Sequence, residues 1–580
     1  YRELDKAQRA AATSNAQVTL VKAGPGAGKT RTLIGRIAYL QEVGEGPIVA
    51  ITFTRRAAEQ LAVKAGKDKD GLIVTTIHGL ALRILAGEKL LAGEEPPLVA
   101  GKEEQQALLD RAWSLAGGAG ALPAALSLPY ATDGEGEKVQ KTRQIYEAEL
   151  KRRQMVDFAG LVREAANVIS TSEAALSRWQ MGCRHILIDE FQDVDPEQLA
   201  LLKLMLSEEG TLFAIGDGDQ AIYSFRGATL DGFNRFETHF QGARIFSLDQ
   251  SYRCPQSILT AARAVLGKEE ELKAQQEGGE KPQLLLAPDG KTEAKMVLSE
   301  IEAIIGGASL EGDDAIASNR EEDTMADVGF SDIAVLYRLQ SFGDTMAKAL
   351  EKAGIPYRRR GGRGWVDDRN VRRILAILEL MVDEECDVAL RTIMKIPKRG
   401  YKPAGRRKIE EAASYYELTL LAALRRCVED GSLSASQRKK GAELLAFIDE
   451  GQKELDSLPL GEQINRVIEW LGEMPETKAS QEALQQLRDQ YVFYPQLTPR
   501  QQIKRLIAET QCIREGEWLD KRASAVTLST FHSAKGLEFP VVFVTGVEEG
   551  IVPLTPQEEG SPDIDLDEER RLLYVAMTRA

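Results

Sequence analysis

The chain has 580 residues, a formal net charge of −15 and 43 % hydrophobic residues. This length suits about four domains, and the charge excludes a protein that is basic throughout, although a local groove can still be positive. Five singly placed cysteines without a C-x-x-C pair argue against a zinc site or a disulfide framework. The lack of any apolar run near about 20 residues argues against a membrane span.

The first 84 residues alternate strand-like and helix-like runs. Strand-like runs lie at Val18–Val21, Ile48–Phe53 and Leu72–Thr76, and this alternation predicts a parallel, doubly wound α/β domain. After the first strand comes the loop AGPGAGKT, Ala23–Thr30, and then a helix. Glycines let backbone N–H groups turn toward one anion, so Gly-Lys-Thr before a helix is typical of a phosphate-binding loop.

This loop predicts a nucleotide site with Mg²⁺. Lys29 would reach the terminal phosphates and the Thr30 hydroxyl would bind Mg²⁺. A glycine-rich turn before an ordinary helix is the alternative, and the flanking strand and helix disfavour it. The loop residues that would hold the nucleotide are Ala23, which replaces the usual first glycine, Gly24, Pro25, Gly26, Ala27, Gly28, Lys29 and Thr30.

From about Leu85 to Gln180 the pattern is mostly helical, and the strand pattern returns at His185–Ile188. We therefore expect a helical insertion in the first α/β domain. Asp189 and Glu190 end the returning strand, at the edge of an α/β sheet where ligands bind. Asp189 would hold Mg²⁺ through water, and Glu190 would polarise the attacking water. For an Asp-Glu pair taken alone, a solvated turn is the alternative.

A further strand candidate, Leu212–Ile215, is followed by Gly-Asp and then by Gln220. The neutral amide of Gln220 can hydrogen-bond water or a phosphate oxygen, so it can sense a γ-phosphate. Tyr223 and Phe225, beside the cation Arg226, suit the stacking of unpaired bases. Core aromatics are the alternative interpretation.

The second half of the chain repeats this organisation. A strand candidate at Ile245–Leu248 precedes a polar linker or exposed helix, Gly267–Lys281. A second α/β pattern starts near Pro282 with the run QLLLA and contains an acidic segment, Gly312–Asp327, that we expect to be a solvated loop. A charged helical stretch from about Pro397 to Arg522 interrupts it. Its other strand candidates are Ile333–Tyr337, Val526–Leu528 and Val541–Thr545.

Several of these segments, in order, resemble the UvrD/Rep/PcrA family of superfamily 1 DNA helicases. The resemblance covers nearly the whole chain. The segments that carry it, besides those above, are LDKAQRAA (Leu4–Ala11), ITFTRRAAEQL (Ile51–Leu61), TTIHGLALRIL (Thr75–Leu85), DQSYRCP (Asp249–Pro255), VTLSTFHSAKGLEFPVVFVTGVEEGIVP (Val526–Pro553) and DEERRLLYVAMTRA (Asp567–Ala580).

The resemblance implies an α/β fold with two RecA-like parallel-sheet motor domains of the P-loop NTPase class, each with a mainly helical insertion. We expect the first motor domain at 1–84 and 181–266, with its insertion at 85–180. The second is expected at 267–396 and 523–580, with its insertion at 397–522.

The resemblance also implies that ATP binds between the two motor domains. Gln8 would contact adenine, Tyr252 would stack on it and Glu538 would meet the ribose, with Arg31 also at the nucleotide. Arg253 would touch the γ-phosphate, and Arg579 would be a second arginine on it, supplied by the other motor domain. An arginine at this position can be worth about 10³–10⁵ in rate, and its arrival from another domain would couple hydrolysis to closure.

The implied partners are single-stranded DNA and single/double-strand junctions. The residues expected along the single strand are Phe53, Thr54, Arg55, His78, Tyr223, Phe225, Arg226 and His532. Phe225 stands where the family usually has Trp. Gly400-Tyr401-Lys402 stands where the family has a Gly-Ile-Gly sequence that is proposed to grip duplex DNA. Whether this loop contacts duplex DNA is therefore left open.

By resemblance, the expected activity is ATP-driven 3′→5′ movement on single-stranded DNA and duplex unwinding, in DNA repair or replication restart, in the bacterial or archaeal cytoplasm. Without an initiator Met, and ending inside a motif, the sequence suggests a fragment whose missing C-terminal tail could bind repair proteins. One alternative is a protein-stripping translocase or the motor subunit of a helicase–nuclease. Another, of a different class, is an ATP-dependent clamp that does not hydrolyse ATP.

Overall fold

The structure is a computed structural model. It describes residues 1–66, 71–123, 126, 136–223, 230–268, 272–276, 279, 281–306, 328–360, 364–416, 418–472, 478–489, 497–511, 524–554 and 565–580. Among these residues, none of the helices has both the length and the apolar character needed to cross a membrane.

The strands carry mostly apolar, buried side chains. The described residues form β1 (Val18–Ala23), β2 (Ile48–Thr52), β3 (Leu72–Thr76), β4 (Leu98–Ala100), β5 (Met155–Asp157), β6 (His185–Ile188), β7 (Thr211–Gly216), β8 (Arg244–Leu248), β9 (Gln250–Ser251), β10 (Lys273–Ala274), β11 (Ile333–Tyr337), β12 (Tyr357–Arg360), β13 (Val526–Thr530) and β14 (Val541–Thr545).

Two parallel sheets organise the fold. The larger has the order β3-β2-β6-β7-β1-β8, and the smaller has the order β12-β13-β11-β14. Every pairing in both sheets is parallel. Parallel strands need crossover connections, so both sheets have the doubly wound α/β character that the alternating sequence pattern predicts.

The helices supply those crossovers and the helical regions. They are α1 (Lys6–Ala12), α2 (Lys29–Glu42), α3 (Arg55–Ala65), α4 (Ile77–Leu91), α5 (Lys102–Leu115), α6 (Glu137–Arg152), α7 (Gly160–Ser170), α8 (Glu173–Gly182), α9 (Pro196–Met205), α10 (Leu230–Asn234), α11 (Phe236–His239), α12 (Gln256–Val265), α13 (Gly290–Ile305), α14 (Gln340–Lys352), α15 (Arg369–Val382), α16 (Asp387–Ile393), α17 (Pro403–Tyr416), α18 (Leu420–Glu429), α19 (Ala435–Lys453), α20 (Leu460–Leu471), α21 (Lys478–Asp489), α22 (Pro499–Gln511), α23 (Phe531–Ala534) and α24 (Leu566–Met577).

The chain divides into two compact units. Unit 1 consists of Tyr1–Ile77, Leu176–Gly362 and Glu515–Ala580, and it contains both large sheets. We call the part built on the six-stranded sheet the first motor domain and the part built on the four-stranded sheet the second motor domain. Unit 2 consists of His78–Ala175 and Arg363–Arg514 and is mainly helical. The motor-domain and insertion boundaries expected from the sequence remain predictions.

Two features of the second motor domain differ from expectation. The run QLLLA forms no strand, and Leu284 and Leu286 are 83 % and 82 % exposed. Conversely, Tyr357–Arg360 pairs with β13 as an edge strand although it carries three arginines. Arg359 is exposed but Arg360 is buried, so this edge strand depends on its pairing with β13, and hydrophobicity alone misplaces both segments. The acidic segment Gly312–Asp327 lies outside the described residues.

Candidate functional site

The phosphate-binding loop has backbone conformations that only glycine adopts readily. It runs from the end of β1 to the start of α2, and Gly26 and Gly28 have φ of 70° and 79°. A Cβ on Gly26 would lie 2.5 Å from Ser251 Oγ, and one on Gly28 would lie 2.6 Å from Gln8 Nε2. The loop is therefore closely covered, and its glycines are required by both φ and space. Lys29 Nζ lies 3.5 Å from Ala23 O, so the ammonium lies over the loop.

Next to this loop, the residues expected at the base are linked to one another. Asp5 caps α1 and accepts hydrogen bonds from the Gln8 backbone N–H and the Tyr252 hydroxyl. Gln8 Nε2 donates to Ala27 O at 3.0 Å, and the Tyr252 backbone N–H donates to Gly26 O at 2.9 Å. Gln8 and Tyr252 are thus both anchored to the loop.

The two carboxylates after β6 are buried but electrostatically distinct. Burial and the charge of Glu190 raise the pKa of Asp189. Burial would also raise the pKa of Glu190, but the charges of Lys29 and Lys535 outweigh it and lower that pKa. Glu190 has φ 52°, and its Oε2 accepts a 2.6 Å hydrogen bond from Gln192 Nε2. Glu190 is therefore held in one orientation and kept ionised, as a group that polarises water must be.

Gln220 and Arg579 join the two motor domains at this site. Gln220 Nε2 donates to Asp217 Oδ2 at 2.8 Å, and Gln220 Oε1 accepts from Arg579 Nη2 at 3.1 Å. Arg579 Nη1 and Arg253 Nη1 both donate to Leu537 O, at 3.2 and 3.4 Å. The two arginines therefore converge on one carbonyl from different domains, and their contact with a phosphate remains a prediction.

Arg579 is 2 % exposed. Its hydrogen-bond acceptors among the described residues are neutral, namely Gln220 Oε1, Leu537 O, Val575 O and Thr578 Oγ1. Burial, together with the charge of Arg253, lowers the pKa of Arg579 to about 10, so it stays charged at neutral pH. A buried cation without a bonded counter-charge is costly, so this position fits an anionic ligand such as a nucleotide phosphate.

A buried lysine of the second motor domain contacts the first motor domain closely. Lys535 Nζ lies 2.5 Å from Asp193 Oδ2 and 2.6 Å from Gln220 O. The two side chains are 6 % and 0 % exposed. Lys535 also lies over the Tyr223 ring, 5.2 Å from its centroid. One cation thus touches the carboxylate region, the Gln220 turn and the aromatic residue expected to meet DNA.

The aromatic residues expected along the single strand meet in pairs. Phe53 and Tyr223 stack at 4.8 Å with an interplanar angle of 26°. The Tyr223 hydroxyl donates to His532 O at 3.3 Å, which again links the two motor domains. Phe53 and Tyr223 line a cleft of about 730 Å³ with residues of both motor domains, including Thr30, Asp189, Glu190, Arg358, Lys535 and Glu538.

The other residues predicted for the nucleotide and DNA sites make mainly local contacts or lie outside the described residues. Thr54 caps α3 and Arg55 begins it, where it pairs with Glu59 at 3.5 Å. Arg31 Nη2 donates to Glu3 O at 2.9 Å. Glu538 is exposed and lies 3.5 Å from Arg253 Nη1. Phe225 and Arg226 lie outside the described residues.

His78 belongs to unit 2. Its buried ring stacks on Phe158 at a centroid distance of 3.9 Å. The contact of His78 with DNA remains a prediction.

Sequence reasoning missed Lys535, Asp193 and Arg571. Lys535 lies between His532 and Glu538, two residues that were predicted as site residues, so its position was a usable signal. Its pairing with Asp193, 342 positions away, is a tertiary contact that no local pattern shows.

Unit 2 contains a separate buried polar cluster. Ligating atoms of Glu104, Glu379 and Cys386 all lie within 4.8 Å of one another. Arg153 pairs with Glu104 at 2.8 Å and with Asp383 at 2.6 Å. Arg153 thus pairs with two carboxylates, and its charge also opposes the rise in the pKa of Glu379 that burial and Glu104 cause.

Comparison with known proteins gives one consistent result. The UvrD/REP helicase N-terminal domain matches residues 4–114 and 105–241, and the UvrD-like helicase C-terminal domain matches residues 246–580. The chain is 28 % identical over 602 residues to the ATP-dependent DNA helicase PcrA of Staphylococcus epidermidis, covering 97 % of this chain and 80 % of that protein. It is also 28 % identical over 605 residues to PcrA of Staphylococcus aureus, with the same coverage of both chains.

Proposed function

The chain belongs to the UvrD-like helicase family, and from this premise we propose that it is an ATP-dependent DNA helicase. It hydrolyses ATP while it moves 3′→5′ along single-stranded DNA, and it separates the duplex ahead. The observation that carries this proposal is the bond from Arg579 of the second motor domain to Gln220 of the first. A nucleotide site completed by two domains makes hydrolysis depend on how they meet.

At the nucleotide, each residue has a separate task. The backbone of Gly24–Gly28 and the Lys29 ammonium hold the phosphates, while Gln8 and Tyr252 border the base. Thr30 and Asp189 would hold Mg²⁺, which would neutralise phosphate charge. Glu190 orients the attacking water. The Gln220 amide hydrogen-bonds to the γ-phosphate when it is present and so senses it. Arg253 and Arg579 stabilise charge on the equatorial oxygens of the transferred phosphoryl group.

The DNA path starts from the Phe53–Tyr223 stack. Aromatic faces bind unpaired bases without sequence preference, at about 1–3 kcal/mol per base. Tyr223 lies three residues after Gln220 and bonds to His532 of the second motor domain. This short connection supports mutual influence between the bound strand and the ATP site.

A basic surface of unit 2 supports contact with the duplex part of a junction. Lys440 Nζ donates to Gly400 O at 3.1 Å, and the Tyr401 hydroxyl donates to Gln437 O at 3.2 Å, so these bonds bring two cation-rich segments together. Phosphate contacts from such cations give affinity without sequence preference. The exposed cations are Lys395, Lys398, Lys402, Arg407, Lys408, Arg438 and Lys439.

The cellular setting is proposed more broadly. We place the activity in the cytoplasm, in DNA repair or replication restart, where junctions with single-stranded tails arise. A translocase that strips proteins from DNA and the motor subunit of a helicase–nuclease would use the same ATP-driven motor. Both alternatives are therefore compatible with this site. A clamp without hydrolysis is disfavoured, because Lys29, Glu190, Gln220 and both arginines are all present.

A forked-duplex assay tests the proposal. A fluorescent duplex with either a 3′ or a 5′ tail is mixed with the protein, ATP and Mg²⁺, and strand release and phosphate release are followed together. We expect release only from the 3′-tailed fork, and Lys29→Ala should lose both signals. Hydrolysis without strand release would favour a translocase, and binding without hydrolysis would favour the clamp. Strand release from the 5′-tailed fork alone would contradict the proposed 3′→5′ direction and would indicate movement in the opposite direction.

A further inference from the structure

Three cations of the second motor domain bond to two consecutive residues of the first. Lys535 Nζ bonds to Gln220 O at 2.6 Å, and Arg579 Nη2 bonds to Gln220 Oε1 at 3.1 Å. Arg571 Nε donates to Ala221 O at 2.9 Å. The turn that carries Gln220 is therefore held through its side chain and through two successive carbonyls.

Arg571 differs from the other two cations in its surroundings. It lies on α24, it is 15 % exposed at its side chain, and its Nη2 pairs with Asp565 Oδ2 at 3.3 Å. Asp565 also caps α24 by accepting from the Asp567 and Glu568 backbone N–H groups. The Arg571 guanidinium is thus oriented from its own helix before it reaches across to Ala221.

The turn itself connects the two ligand sites. Gly218–Gln220 forms one short 3₁₀ turn, and Asp217 caps it by accepting from the Asp219 backbone N–H at 3.0 Å. Two residues after Ala221, the Tyr223 ring stacks on Phe53. A shift of the Ala221 carbonyl therefore moves the Gln220 amide on one side and the Tyr223 ring on the other.

We propose that Arg571 is a positioning residue that ties α24 of the second motor domain to the Gln220–Tyr223 turn, so that DNA on the aromatic stack accelerates hydrolysis. This inference rests on the proposed helicase function. Arg571 bonds to a backbone carbonyl and not to either ligand site directly, so its role is transmission. The carbonyl bond also makes the contact independent of the side chain at position 221.

The adjacent arginine provides a matched control. Arg570 is 56 % exposed at its side chain and pairs with Asp567 at 3.1 Å on its own helix. Arg571→Gln removes the charged donor to Ala221 O, whereas Arg570→Gln removes an equal charge that pairs with Asp567 on its own helix. Both variants keep the helix propensity of α24 nearly unchanged.

The test compares ATP turnover with and without single-stranded DNA in the full chain. For Arg571→Gln we expect about a tenfold loss of DNA-stimulated turnover, the rate factor that corresponds to one charge-assisted hydrogen bond. Turnover without DNA and the KM for ATP should stay unchanged, because the phosphate contacts remain. Arg570→Gln should match the unmodified protein in every reading.

If Arg571 only stabilised the fold, its substitution would change ATP turnover in a different pattern. Equal losses with and without DNA, or no loss at all, would overturn the inference. If Arg571→Gln does not fold, Arg571→Lys replaces it, with Arg570→Lys as control, and a smaller loss confined to DNA-stimulated turnover is expected. Equal behaviour of these two lysine variants would overturn the inference as well. If the unmodified protein shows no DNA-stimulated turnover, the proposed function itself fails, so the two failures are distinguishable.

Discussion

Replacing Tyr223 by alanine is the sharpest test of the proposed DNA path. The change removes a ring that stacks on Phe53 at 4.8 Å, lies under Lys535 Nζ at 5.2 Å and donates to His532 O at 3.3 Å. Stacking of one base on an aromatic ring contributes about 1–3 kcal/mol. At about 1.4 kcal/mol per tenfold, this predicts a Kd for single-stranded DNA raised about 5- to 150-fold.

The assay is fluorescence anisotropy with a labelled oligothymidine, at one fixed salt concentration because phosphate contacts depend on salt. No nucleotide is added, so that binding is separated from turnover. Tyr223→Phe is the matched control, since it keeps the ring and loses only the hydroxyl bond to His532. We expect the phenylalanine variant to bind within a few-fold of the unmodified protein. An unchanged Kd for Tyr223→Ala, or equal losses in both variants, would refute the stacking argument.

Two further predictions concern buried charges. Lys535→Met leaves the Asp193 carboxylate buried without its cation at a cost of about 3–5 kcal/mol. The urea midpoint should fall and should largely recover when Asp193→Asn is added; a double variant as unstable as the single one would contradict the pairing. Burial, aided by the charge of Glu104, raises the pKa of Glu379 from 4.5 to about 8. The contribution of Glu379 to the free energy of unfolding therefore falls as the pH rises from about 4.5 to about 8. Glu379→Gln should therefore raise the thermal midpoint at pH 8 but hardly at pH 4.5, and equal shifts at both would count against a buried protonated carboxyl.

Strands that lie inside a sheet were readable from the sequence. β6 and β11 are short apolar runs bounded by polar residues, and both are fully buried. Interior strands of parallel sheets are covered on both faces, so their hydrophobicity is nearly continuous and easy to recognise. The run QLLLA has the same composition yet stays exposed, because hydrophobicity alone does not establish a pairing partner.

The conformation of the glycine-rich loop and the position of Asp189 and Glu190 at the end of β6 were predictable because their spacing is local, while their roles at a nucleotide remain predictions. Gly26, Gly28 and Lys29 lie within four positions, and their conformation follows from the turn that they must make. The contacts between the motor domains were not predictable in this way. Arg571 and Ala221 are 350 positions apart, and only the folded chain brings them together.

The contacts between the motor domains are of two kinds, and the difference constrains how the site works. Lys535 and Asp193 form a buried pair of opposite charges that needs no ligand to be stable. Arg579 is equally buried but bonds only to neutral acceptors among the described residues, so an anion would stabilise it. Separating the first pair costs several kcal/mol, whereas binding a phosphate at Arg579 adds attraction. We therefore expect the nucleotide to strengthen the contacts on the arginine side of the site while the Lys535–Asp193 pair stays in contact.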